Sequence, residues 1–119
     1  MKLAPSLAHQ AAMLAANDLV DHAADKVDEH LAITRRVERI RAAQEGDHGS
    51  SGFSEAERIS KNSSRAIGKA QAYLSQSHAL LEFAEVADHA AFAGDAEIDV
   101  PEDLTELVGL FLEEALHKT

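Results

Sequence analysis

The chain has no cysteine and no tryptophan, with one tyrosine and four phenylalanines among 119 residues. Without cysteine there is no disulfide framework, no Cys-containing zinc site, no redox dithiol and no cysteine nucleophile. Prolines stand only at 5 and 101, and valine, isoleucine and threonine together number 14. The first leaves long uninterrupted stretches, and the second is too few for a sheet protein of this size. No apolar run approaches the ~20 residues of a membrane span, so no membrane association is expected. The stretch behind Lys2 is broken by His9 and Gln10 and runs into Asn17 and Asp18, which is not a secretory signal. A cytoplasmic location follows by default. Basic residues are also scarce: 11 against 21 acidic, a net charge of −10, which makes the whole chain a poor nucleic-acid binder.

What is plentiful is alanine, at 23 residues. Alanine is the best helix former, and Leu, Glu, Gln and Arg accompany it. Gly46, Gly49 and Gly52 cluster in a Gly/Ser stretch, and Gly94-Asp95 makes a second stop. The spacing predicts an all-α fold in a single domain, 1–119. Two long helices, about 6–44 and 54–93, form an antiparallel hairpin around a mobile loop at 45–53. A shorter third helix, about 102–117, packs at the hairpin base. The first helix is expected to start at Ser6 or Pro5. Ser54 and Glu57 fit a capping box for the second, and Asp99 to Glu102 a similar signal for the third. Helices near 40 residues would be roughly 60 Å long at 1.5 Å per residue.

The apolar pattern predicts how the hairpin closes. In the second helix Ile59, Ser63, Ala66, Ala70, Tyr73, Ser77, Leu80, Ala84, Ala87 and Ala91 repeat at 4-3 spacing, a heptad seam. In the first, Met13, Ala16, Val20, Ala23, Val27, Leu31, Ile33, Val37 and Ile40 form the matching stripe. Folding at 45–53 is expected to pair residues whose numbers total about 100: Ile40 with Ile59, Val37 with Ser63, Val20 with Leu80. His30 then falls opposite Ala70, His22 level with His78, and Arg35 level with Arg65.

Two surfaces stand out as candidate sites. At the base, a second apolar strip on each long helix leaves more apolar surface than the third helix can cover, which points to self-association, as a dimer, or to docking on another protein. Leu7, Leu14, Phe83, Val86 and Leu110 are the expected assembly residues. Near the loop, charge runs the other way. Residues 35–69 carry net +3, whereas residues 70–119 carry −10. Arg35, Arg36, Arg39, Arg58, Lys61 and Arg65 are therefore candidates for binding a protein partner or an anion such as a phosphate-bearing ligand or nucleic acid. The chain carries no phosphate-binding glycine loop, and nothing in the pattern asks for a cofactor. A metal site built from His22, His78, Asp18 and Glu82 is disfavoured, because His22 and His78 project well away from the seam. Serines 60, 63, 64, 75 and 77 have no histidine in a suitable helical relation, so no catalytic set is expected. The reading is a non-enzymatic helical interaction module: an adaptor, chaperone-like or inhibitor protein. The alternatives are a phosphate-ligand binding protein and, more weakly, a metal-binding bundle.

Overall fold

The computed structural model describes residues 1–44 and 50–118. Two long antiparallel helices, α1 (Pro5–Gln44) and α2 (Ser50–Phe92), pack closely along each other. They are framed by a short antiparallel pair, β1 (Lys2–Leu3) and β2 (Ile98–Asp99), which joins Lys2 to Asp99 and Leu3 to Ile98. A 3-10 turn (Glu102–Leu104), α3 (Thr105–Leu110) and α4 (Leu112–Lys118) follow at the base.

The helix ends have local causes. Pro5 is the first residue of α1, where its missing N–H costs nothing and its fixed φ suits the helix. The Ala8 amide donates to the Ala4 carbonyl at 2.9 Å. α2 stops as Gly94 predicts. Gly94 adopts φ +83, its amide donates to Ala91 O at 3.1 Å, and the Asp95 amide donates to Ala90 O at 3.0 Å. That is a Schellman closure, which needs a residue without a Cβ penalty in the left-handed region.

Two expected starts differ. α2 begins at Ser50, so Ser54 lies inside the helix and not at its start. Glycine lowers helix stability by only about 1 kcal/mol, and a helix of 43 residues absorbs that. Of the expected loop, 45–49 lies outside the described residues, and from Ser50 the chain is helical. The third helix is not continuous. It opens with the 3-10 turn, and Asp99 is engaged in β2 in place of capping. It breaks again at Phe111, whose amide donates to Val108 O at 3.1 Å, two residues after the weak helix former Gly109.

The chain divides into two compact units. The terminal unit comprises Met1–Asp21 and Leu74–Thr119. Its core is an alanine stripe on α1 (Ala8, Ala11, Ala12, Ala15, Ala16, with Leu19) against Leu80, Phe83, Ala84 and Ala87 of α2. Val100, Leu104, Val108 and Ala115 close it from the C-terminal segment. His9 Nδ1–H donates to the Ala84 carbonyl at 2.9 Å, and the buried Ser77 hydroxyl donates to Ala16 O at 3.2 Å. The central unit is His22–Tyr73. Its interior holds Ala23, Ser63, Ala66 and Ala70, and a cluster of Val37 and Ile59 flanked by Ile33 and Ile40. The Ser63 hydroxyl bonds to His30 Nδ1, which also sits 3.3 Å from the Ser63 carbonyl, and the His22 and Tyr73 rings lie 5.7 Å apart.

These contacts correct the expected register. The pairs His9–Ala84, Ala16–Ser77, His22–Tyr73, His30–Ser63 and Val37–Ile59 have numbers totalling 93 to 96, not 100, although Ile40 packs against the cluster that holds Ile59, as expected. His30 meets Ser63 where Ala70 was expected, one full heptad away. A heptad seam presents the same face after every seven residues, so the pattern alone does not separate these registers. The alignment of α1 also differs: Val20 and Leu31 are exposed, and Leu19 takes the buried position.

Candidate functional site

Among the described residues, nine large apolar side chains are exposed, and eight of them belong to the terminal unit. Leu31 is the exception. Three lie on one line of α2: Leu74 at 48% exposure, Leu81 at 41% and Phe92 at 96%. Eighteen residues separate the first from the last, five turns at 3.6 residues each, so the strip is straight and about 27 Å long. Its phase is about 95° from the seam of Ser77, Leu80, Ala84 and Ala87, at 100° per residue. The polar residues between are His78, Glu85 and Asp88, all exposed. His78 Nε2 lies 2.9 Å from Glu82 Oε1, and His89 Nε2 lies 3.9 Å from Glu85 Oε1.

A second apolar feature lies on another side of α2. Ala79, Phe83 and Val86 floor an open groove of about 330 Å³ whose far wall is Ile98, Pro101 and Leu104, with Glu82, Asp99 and Asp103 at its rim. The residues expected to drive assembly divide accordingly. Phe83 is 6% exposed and packs in the chain's own core while lining the groove. Its neighbour Leu104 supplies the reason: the segment after α2 folds back over it. Leu7 and Leu14 are half-buried, while Val86 and Leu110 are 61% and 72% exposed. The Leu74–Leu81–Phe92 strip is absent from the sequence reading. Its signal is a spacing of 7 and then 11 with polar residues between, easily taken for a solvated face.

The basic candidates are all exposed: Arg35, Arg36 and Arg39 on α1, and Arg58, Lys61 and Arg65 on α2. The structure does not gather them into one pocket. Arg65 lines a cleft with Lys26, Glu29, Asn62 and Lys69, not with Arg35. Arg41 lines a different hollow of about 150 Å³ with Thr34, Glu38, Ser60 and Ser63. The difference in register accounts for the placement of Arg65.

Two chemical expectations change. Ser63 does have a histidine, His30, because the true register brings them together. The hydroxyl is buried, and among the described residues the other imidazole nitrogen of His30 has no hydrogen-bond partner to orient it. A nucleophile–base–orienter set is therefore incomplete, and the pair acts as a polar clasp between helices. His22 packs on Tyr73, so the alignment that set it level with His78 does not form. Among the described residues no three histidine or carboxylate side chains assemble around a common point able to hold a metal ion. No helix among them is long and apolar enough to cross a membrane. Comparison of the chain with protein-family models, with curated proteins and with solved structures gave no match.

Proposed function

We propose that the chain is a non-enzymatic helical interaction module that self-associates through its terminal unit. The observation that carries this reading is the exposed Leu74–Leu81–Phe92 strip on α2. A straight apolar line on a rigid helix is the usual face for a second helix, and its occupant here is a second copy of the chain. Set antiparallel about residue 83, two such strips place Leu74 of one copy on Phe92 of the other. Leu81 then meets Glu85, and His78 meets Asp88. Each pair occurs twice, as a two-fold interface requires, and the polar pairs bring imidazole to carboxylate without opposing like charges.

Light scattering across a concentration series tests this. A dimer that gives way to monomer on dilution, and that Leu81→Glu abolishes, is the expected result. A monomer at millimolar concentration overturns it. A specific observation favours a second use of the same unit. The groove over Ala79, Phe83 and Val86 has an acidic rim of Glu82, Asp99 and Asp103, which suits an apolar side chain flanked by lysine or arginine from a different protein.

A further inference from the structure

We propose that the flank of the central unit bounded by Lys26, Asn62, Arg65 and Lys69 binds the phosphate group of a small organic phosphate. The two helices supply one face each. Lys26, Glu29 and Ile33 follow one another at i, i+3 and i+7 on α1, and Asn62, Arg65, Ala66 and Lys69 do so at i, i+3, i+4 and i+7 on α2. These two faces line one open cleft of about 300 Å³.

The electrostatics select the ligand. Three cations line the cleft against one carboxylate, and Glu29 already bonds to Lys26 at 3.0 Å. Arg65 and Lys69 have no ion-pair partner among the described residues. Cations that share one cleft repel, and a dianion bound among them turns that repulsion into attraction. The arginine fork adds directional donors of the kind phosphate oxygens accept, and Asn62 adds a neutral donor. Ile33 and Ala66 give the cleft an apolar stretch for the carbon skeleton of the ligand. Asp25, Asp28 and Glu29 sit along α1 beside Lys26. Their charge interrupts any continuous basic track, so the cleft fits a compact anion better than a nucleic-acid backbone. The cleft is built from residues 26–69 and the dimer strip from residues 74–92, so the two readings fail independently.

The test is calorimetric titration of the full chain with pyrophosphate at low salt, alongside a twelve-nucleotide single strand. Saturable one-to-one binding of pyrophosphate is expected, weakening steeply as salt is raised. Arg65→Gln and Lys69→Gln should each weaken it by at least tenfold. Lys118→Gln, which removes the same charge outside the central unit, should leave it unchanged. All three side chains are exposed, and circular dichroism confirms the fold of each variant. Absence of saturable binding overturns the proposal. So does equal binding by the Arg65→Gln, Lys69→Gln double variant, or binding of the oligonucleotide without binding of pyrophosphate.

Discussion

Phe92 closes α2 with 96% of its surface exposed, so its replacement by alanine separates assembly from folding. Burying a phenylalanine is worth about 2 kcal/mol on the area scale. A two-fold interface buries it twice, so Phe92→Ala should cost about 4 kcal/mol of dimerisation. At 1.4 kcal/mol per decade that is roughly a thousandfold rise in the dimer dissociation constant. The folded monomer should barely notice, because the ring makes almost no contact with its own chain. A surface change of this kind moves stability by about 0.5 kcal/mol or less. Sedimentation equilibrium gives the dissociation constant, and thermal unfolding under dilute, monomeric conditions gives the fold. Unchanged association in Phe92→Ala refutes the strip as the interface. A loss of several kcal/mol in the monomer refutes the premise that the ring is free.

Leu80 is fully buried in the terminal unit, and Leu80→Ala should lower unfolding free energy by about 3 kcal/mol, read as a shift in the urea midpoint at constant slope. Gly94→Ala places a Cβ on a backbone at φ +83 with nothing within 4 Å to clash. It should still cost about 1 kcal/mol from left-handed strain alone, and an unchanged denaturation curve would show that the Schellman closure carries no strain. The Lys26 amine is raised above its usual 10.5 by its hydrogen bond to Glu29 and then by that carboxylate's charge. A raised folded value means the pair's contribution is complete below pH 10.5 and fades as pH climbs through the higher value. Side-chain NMR titration should show a Lys26 midpoint above 10.5 that Glu29→Gln brings back; a midpoint at or below 10.5 contradicts the contact.

The hairpin and the seam of α2 were legible in the sequence because the ten residues from Ile59 to Ala91 repeat at 4-3 spacing; eight of them are buried, and Tyr73 and Ala91 are half-buried. On α1 the phase was ambiguous for a physical reason. Alanine doublets at 11–12, 15–16 and 23–24 fit two adjacent stripes equally well, and only the packed structure decides for Leu19 over Val20. Register is the weaker inference still. Sliding one helix by seven residues restores the same pattern, so the choice rests on where the chain turns. α2 begins at Ser50, earlier than a start at 54 implies. The sites depend on that register: it places Arg65 with Lys26 and Lys69, not level with Arg35, and Ser63 beside His30. The β1–β2 pair was invisible, since two-residue strands have no periodicity to detect.

The alanine stripe of α1 has a consequence for the length of the helices. A buried alanine has no rotamers to freeze, so Ala8, Ala11, Ala12, Ala15 and Ala16 enter the core without side-chain entropy loss. Each also brings only a methyl group, about 0.8 kcal/mol of burial on the scale of a single carbon. A seam made of such small increments gains its strength by repetition, and repetition along an antiparallel pair means more turns of helix. The 40 and 43 residues of α1 and α2 are the extent over which thin contacts accumulate into a fold. Shortening the hairpin by whole heptads should therefore erode stability in proportion to the levels removed.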